Sequence, residues 1–210
     1  MRLVLASNNA KKLRELQALF AAVPVELVAQ GSLGIAEAEE PHITFVENAL
    51  AKARHAAAAC GGAAIADDSG LCVDALGGAP GVVSAHYAPM PADAADDREA
   101  LRAAQDAANN RLLLQRLEGV ADRRAAFVST LVAVRHAADP EPLIAFGRWD
   151  GQILQALQGD GGFGYDPLLF IPDLGLTVAQ LPAATKNAHS HRARAAAQMR
   201  ALLHAQWHLG

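Results

Sequence analysis

A short apolar run, Ala63–Ala66, ends in two adjacent acids, Asp67 and Asp68. Such a run is typical of a buried β-strand. Carboxylates at the end of a buried strand are costly unless they have partners. Because neighbouring side chains on a strand face opposite sides, the two acids need not share one site. The run therefore predicts a strand that ends at two separately used carboxylates, with Leu71–Val73 as a candidate continuation of the strand after a bend at Gly70.

The segments around this strand predict an α/β fold. Arg2–Ala6 is an apolar run followed by Ser7-Asn8-Asn9, which offers N-cap chemistry, and by leucines at helical spacing. Thr44–Glu47 forms a capping-box pattern at the start of a second helix. Asp139-Pro140 predicts a turn between an antiparallel pair of strands. Further strands are predicted at Val25–Ala29, Phe127–Arg135, Leu143–Arg148 and Leu168–Ile171, and helices at Thr44–Ala59, Arg98–Leu117 and Ser190–His208.

The composition limits the class of protein. A chain of 210 residues with 52% hydrophobic and 19% charged residues suits one large domain or two tightly joined lobes; we expect a single domain over 1–210. A formal net charge of -4 argues against a nucleic-acid or anionic-membrane partner. Cys60 and Cys72 are isolated thiols, and no apolar stretch approaches the length of a membrane span. The predicted location is the cytoplasm.

The turn Ser7–Lys12 is the first candidate for ligand binding. A helix start offers backbone N–H groups and a positive dipole end to an anion. Ser7 and Asn9 can add side-chain hydrogen bonds, and Lys12 can add a cation. The alternative is that Ser7 or Asn8 only caps the helix and the lysines are solvated.

The paired acids are the second candidate. A carboxylate at a strand end is a natural ligand for Mg²⁺, which prefers oxygen donors and keeps several waters. Glu39 and Glu40, just before Pro41, offer a second carboxylate from a loop. The alternative is that Asp67 or Asp68 caps a turn.

Two later segments complete the set of candidates. In Gly161–Pro167 glycines flank Phe163, an arrangement that suits stacking on a planar base, although such turns also fill the edge of a core. Lys186–Arg192 holds two cations and two imidazoles just before the last helix, which is also consistent with a polar helix entrance. His189 and His191 lack an evident third ligand for zinc. An anion-binding turn, an acidic strand end, an aromatic shelf and a cationic cluster are together what a nucleoside triphosphate with Mg²⁺ requires.

The sequence resembles the inosine triphosphatase family, pyrophosphatases that act on non-standard purine nucleoside triphosphates. The resemblance spans nearly the whole chain. It is carried by motifs in the family's order: Ser7–Glu15, Phe45–Ala49, Ile65–Leu71, Gly78–Gly81, Gly162–Pro167 and Ser190–Arg192.

The resemblance implies a homodimeric α/β enzyme with an elongated mixed sheet flanked by helices and a substrate cleft between two lobes. It also implies Mg²⁺-dependent hydrolysis of inosine, deoxyinosine and xanthosine triphosphates to the monophosphate and pyrophosphate. Asp68 would be the catalytic carboxylate and also a Mg²⁺ ligand. Glu40 would be the second Mg²⁺ ligand. The implied substrate contacts are Ser7, Asn8, Asn9, Ala10, Lys11, Lys12, Ser69, Phe163, Gly164, Tyr165, Asp166, Lys186, His191 and Arg192.

Within this mechanism Asp68 is expected to accept a proton from the attacking water or to position that water. Lys12 and Lys186, with Lys52, would balance the phosphate charge. Arg192, helped by His191, would donate to the 6-carbonyl of the base and so reject adenine. Two rival functions stay open: a pyrophosphatase for pyrimidine or other modified nucleotides, and a regulatory module that binds a nucleotide without turnover.

Overall fold

The computed structural model describes residues 1–90 and 98–209. Its strands are β1 (Arg2–Leu5), β2 (Glu26–Ala29), β3 (Ala64–Val73), β4 (Arg124–Val134), β5 (Leu143–Ile153), β6 (Leu169–Ile171) and β7 (Leu176–Thr177). Its α-helices are α1 (Ala10–Leu19), α2 (Phe45–Cys60), α3 (Arg98–Arg116), α4 (Ala183–His189) and α5 (His191–Trp207). None of the described helices is long and apolar enough to cross a membrane.

The described strands form one sheet in the order β2-β1-β3-β4-β5-β6-β7. β1 pairs in parallel with β2 and with β3, whereas β6 is antiparallel to both β5 and β7. The predicted α/β class and the mixed sheet flanked by helices are therefore confirmed. The polar run Asp93–Arg98, which we expected to be exposed, lies outside the described residues apart from the backbone of Arg98.

β3 differs from the prediction. It runs without interruption from Ala64 to Val73, so the predicted strand end at the two acids is wrong, whereas the suggested continuation through Leu71–Val73 is present. The strand that ends here is β1: the backbone N–H of Ala6 donates to Ile65 O at 2.9 Å, and the chain then turns away at Ser7. On its other side β3 has β4 as a neighbour, which lets it continue. The acids therefore lie inside a strand, just past the end of β1.

The chain divides into two compact units, and the first contains residues 1–69, 129–148 and 187 onward. Its core has two layers, one on each face of the sheet. Leucine and isoleucine side chains of β1, β3, β4 and β5 pack with α1 and α5, and alternate residues of the same strands pack with α2. Along β3 this alternation places Ile65 in the first layer and Ala66 in the second. Asp67 and Asp68 continue the alternation.

The second unit contains residues 70–128 and 149–186. Its core joins the end of β3 to α3, with Leu71, Leu113, Trp149, Tyr165 and Leu168 among its buried residues. Helix α4 was not predicted. It is short because Ser190 ends it and caps the next helix, accepting a hydrogen bond from the Ala193 N–H at 3.1 Å. The predicted cleft between two lobes and the single domain stay predictions.

Candidate functional site

The turn between β1 and α1 is held by its own side chains. Asn9 is the N-cap, and its Oδ1 accepts from the backbone N–H groups of Lys11 and Lys12 at 3.0 and 3.2 Å. Ser7 Oγ accepts from the Asn9 N–H at 3.2 Å. The cap is thus Asn9 and not Ser7 or Asn8, because only Asn9 occupies the residue before the first helical turn. Since capping uses oxygen acceptors, the Ser7 hydroxyl and the Asn9 amide keep their donor hydrogens, which are the groups that an anion needs.

Gly31 supports this turn from the segment after β2. A side-chain carbon added at Gly31 would lie 2.5 Å from Asn8 Oδ1. Asn8 Oδ1 is itself buried and has no hydrogen-bond partner among the described residues. Gly31 was not predicted from the sequence, because only the folded chain brings it beside Asn8.

Asp67 is the centre of a buried ion-pair cluster on the α1 and α5 side of the sheet. It is 1% exposed, and its Oδ2 lies 2.9 Å from Lys12 Nζ and 3.2 Å from Arg192 Nη2. Burial alone would raise the pKa of Asp67, but the charges of Arg192 and Lys12 outweigh it and hold that pKa well below its ordinary value. We call this group the Asp67 cluster; it comprises Asp67, Lys12, Arg192, Glu15, Ser69 and Ser129.

Arg192 is almost wholly engaged inside this cluster. Its Nε and Nη2 donate to Asp67, Nη2 also donates to Ser69 Oγ at 3.0 Å, and Nη1 pairs with Glu15. A guanidinium has five N–H donors, so four of them are directed at protein atoms. Burial alone would lower the pKa of Arg192, but Asp67 and Glu15 outweigh it and raise that pKa. Arg192 therefore joins α5 to β3 and α1, and its contact with a nucleobase stays a prediction.

Asp68 faces the opposite side of β3 and meets α2. Its Oδ1 lies 2.9 Å from Lys52 Nζ, and Glu40 Oε2 lies 3.1 Å from the same nitrogen. Burial raises the pKa of Asp68 to about 6, and Lys52 only partly opposes this shift. For Lys52, burial would lower the pKa, but Asp68 and Glu40 outweigh it and raise that pKa. These three residues form the Asp68 cluster.

The Asp68 cluster has the properties of an incomplete cation site. Two carboxylates and one ammonium leave a net charge of -1 when all are ionised. Asp68 Oδ2 is buried and has no hydrogen-bond partner among the described residues. The part of the chain that the structure describes holds no group of three or more His, Cys, Asp or Glu side chains able to bind a metal ion. Two carboxylates suit Mg²⁺, which takes one or two from the protein and fills its shell with water and phosphate oxygens.

Asn48 fixes the segment that carries Glu40. It lies one helical turn before Lys52 on α2 and is 1% exposed. Its side-chain amide binds both backbone groups of His42: Oδ1 accepts from the His42 N–H at 3.0 Å, and Nδ2 donates to His42 O at 3.1 Å. This role of Asn48 was not predicted from the sequence, because its burial and its contact with His42 are visible only in the folded chain.

Residues 162–166 of the second unit form a turn around Phe163, the aromatic turn. It is organised by Asp166, which is 3% exposed. Asp166 Oδ2 accepts from the Phe163 backbone N–H at 3.0 Å and from Lys186 Nζ at 2.8 Å. A side-chain carbon at Gly162 would lie 1.9 Å from that oxygen, so there is no space for a larger residue. Gly162 also has a φ of 75°, a left-handed conformation that favours glycine.

Phe163 is half-buried, and the Lys186 ammonium lies 4.8 Å from the centroid of its ring. This is a cation–π contact, and it occupies one face of the ring. The structure brings Phe163, Asp166 and Lys186 together, as it brings Lys12, Ser69 and Arg192 together in the Asp67 cluster.

His191 is buried at the start of α5, whereas His189 is exposed at the end of α4. The start of α5 lies directly on the backbone of β5. A side-chain carbon at Gly147 would lie 1.8 Å from His191 O and 2.6 Å from Ala195 N. Gly147, which was not predicted from the sequence, therefore sets how closely the helix that carries Arg192 approaches the sheet.

Gly147→Ala is expected to lower the free energy of unfolding by about 1–3 kcal/mol, because the clash is with backbone atoms that cannot rotate away. Denaturant unfolding measures this loss. Gly62→Ala is the matched control, since its added carbon would meet only Cys60 Sγ at 3.9 Å. Equal stability of the two variants would contradict the close approach.

Residues 3–202 match the model of the Ham1 family. The chain is 76% identical over 207 residues to a dITP/XTP pyrophosphatase of Methylibium petroleiphilum, with 99% of each chain covered. It is 72% identical to a dITP/XTP pyrophosphatase of Leptothrix cholodnii, with 100% of each chain covered. A solved HAM1 protein from Coxiella burnetii superposes with a TM-score of 0.85 at 39% identity, covering 97% of this chain and 98% of that chain. The chain belongs to the Ham1 family.

Proposed function

We propose that this protein hydrolyses deoxyinosine, inosine and xanthosine triphosphates to the monophosphate and pyrophosphate in a Mg²⁺-dependent reaction. The observation that carries the proposal is the Asp68 cluster, in which a buried carboxylate oxygen lacks a partner beside Lys52 and Glu40. The names of the relatives, dITP/XTP pyrophosphatases, support the same reaction class.

Asp68 and Glu40 are the residues that would hold Mg²⁺. When bound, the ion would balance triphosphate charge and lower the pKa of coordinated water. The net charge of -1 in the Asp68 cluster and the partnerless Asp68 Oδ2 both fit a bound cation. Lys52, which touches both carboxylates, would keep them oriented before and after the ion binds.

In the proposed reaction water attacks the α-phosphorus and pyrophosphate leaves. Asp68 accepts the proton of that water or orients the water. The start of α1, with the Ser7 hydroxyl and the Asn9 amide, binds the phosphate chain, and Lys12, held in place by Asp67, supplies a fixed positive charge.

For base selection, we propose that Phe163 stacks on the purine and that a donor to the 6-carbonyl separates hypoxanthine and xanthine from adenine. An amino group facing such a donor leaves a buried contact unpaired, which rejects a substrate strongly. Arg192 can be this donor with its remaining N–H or by releasing Asp67 or Glu15, and His191 lies beside it.

The proposal extends to a homodimer in the cytoplasm. The homodimer is the assembly that the family resemblance implies. Cys60 and Cys72 form no disulfide among the described residues, which suits a reducing compartment. Sedimentation of the purified chain tests the dimer.

The deciding experiment is pyrophosphate release from a panel of triphosphates, with and without Mg²⁺. We expect dITP and XTP to be cleaved at least about ten-fold faster than dATP and dGTP, and cleavage to stop when the metal is chelated. Preferred cleavage of pyrimidine triphosphates would favour the first rival function. A thermal shift with dITP but no pyrophosphate would favour a binding module.

A further inference from the structure

Two side chains on one face of helix α3 form hydrogen bonds to the backbone of the aromatic turn. Asp106 Oδ2 accepts from the Gly164 N–H at 2.8 Å, and Asn110 Nδ2 donates to Gly164 O at 2.9 Å. Residues four apart on a helix lie on one face, one turn from each other. Both backbone hydrogen-bonding groups of a single residue are therefore bound from one rigid element.

We propose that Asp106 and Asn110 are positioning residues for the nucleobase: by fixing Gly164 they set the orientation of Phe163. This inference rests on the proposed function, because it assigns the Phe163 ring to base stacking. Neither residue belongs to any motif that carried the resemblance, and neither would touch the reacting phosphate.

The pair Asp106 and Asn110 is named the clamp, and the conformation of the turn explains why these two hydrogen bonds to Gly164 are needed. Gly164 has a φ of 62°, a left-handed conformation that glycine also leaves easily. Phe163 precedes it and Tyr165 follows it, so a rotation at Gly164 would redirect the ring. Tyr165 is anchored separately, since its hydroxyl donates to Ser84 O at 2.9 Å.

The rest of the polar face of α3 has a different task. Gln105 Nε2 donates to Ala88 O at 2.8 Å and to Asn109 Oδ1 at 2.9 Å. Asn109 in turn binds the backbone at Ser84, Ala85 and Ala88. These two residues hold the 84–88 segment and make no hydrogen bond to Gly164, so Gln105 provides a matched control.

The test replaces each clamp residue and measures two quantities: KM and kcat for dITP with Mg²⁺, and the dissociation constant of the product dIMP by titration calorimetry. Asp106→Ala removes the acceptor, and Asn110→Asp replaces the donor with an acceptor opposite a carbonyl. Each should raise KM and the dIMP dissociation constant about ten-fold and leave kcat within about two-fold. Asp106→Asn keeps an acceptor oxygen and should restore near-normal values.

A double-mutant cycle separates positioning from general stability. In a Phe163→Ala background, Asp106→Ala should have no further effect on dIMP binding. Gln105→Ala should lower Tm and leave the dIMP dissociation constant unchanged. The proposal is overturned if Asp106→Ala leaves dIMP binding within two-fold, if its effect persists without Phe163, or if Gln105→Ala weakens binding equally.

The dIMP measurement also keeps the two proposals apart. Absence of pyrophosphate release with normal dIMP binding would remove the proposed function and leave the clamp testable through binding. Pyrophosphate release from dITP without measurable dIMP binding by the unchanged chain would leave the proposed function standing and overturn the positioning proposal.

Discussion

Asp68→Asn is expected to lower the turnover of dITP by about 100-fold or more and to leave the fold intact. The amide cannot accept a proton and is a poor ligand for a divalent cation, so both proposed tasks of Asp68 are lost. Pyrophosphate release at saturating dITP measures this loss.

The same substitution should not lower Tm. The folded chain raises the pKa of Asp68 to about 6, above its ordinary value, so at neutral pH burial makes the ionised carboxylate a cost to stability. A neutral amide of the same size removes that cost. Asp173→Asn makes the same change at an exposed position, so it is the control for effects of an Asp-to-Asn substitution outside the site. Near-normal turnover in Asp68→Asn would exclude Asp68 from the mechanism.

Local patterns predicted most of the fold because each one depends on neighbours in sequence. The Thr44 cap, the leucine repeat of α1 and the Ser190 cap act within one or two helical turns, and all three elements are present. The continuous β3 was not predicted, since a strand stops where its partners stop. That β1 ends at Leu5 while β3 continues beside β4 depends on pairing between distant segments.

The same limit applies to the site. Asp68, Lys12 and Phe163 could be predicted as site residues because a carboxylate, an ammonium and an aromatic ring each indicate a type of ligand contact. Gly31 and Gly147 act by allowing close contact with residues remote in sequence, and Asn48 acts by binding the backbone of a neighbouring loop. The type of each residue does not by itself indicate such a role. Proximity of Asp67 to Arg192, which are 125 residues apart, required the folded chain.

The two adjacent acids illustrate how one strand separates two tasks. Asp67 has a lowered pKa and is surrounded by cations, whereas Asp68 has a raised pKa and an oxygen without a partner among the described residues. Burial opposes charge at both positions: at Asp67 the charges of Arg192 and Lys12 outweigh it, whereas at Asp68 Lys52 only partly opposes it and Glu40 adds to it. A carboxylate whose charge is fully compensated is suited to structure, and one whose charge is only partly compensated is suited to binding a metal or a proton.

Asp67→Asn should therefore have the opposite effect to Asp68→Asn and destabilise the protein. It removes the negative charge between Lys12 and Arg192. Arg192, which is 2% exposed, then keeps Glu15 as its one carboxylate partner among the described residues. Breaking a buried ion pair in this way costs about 3–5 kcal/mol. For a chain of 210 residues this corresponds to a fall in Tm of about 10 °C.

A second substitution shows whether the loss comes from uncompensated charge. Arg192→Met in the Asp67→Asn background removes the buried guanidinium, so the double variant should recover part of the lost stability. Calorimetry of the single and double variants, beside Asp68→Asn, measures the coupling. If Asp67→Asn lowered Tm by less than about 2 °C, or if Arg192→Met added its full cost to it, Asp67 would not be the residue that compensates the buried cations.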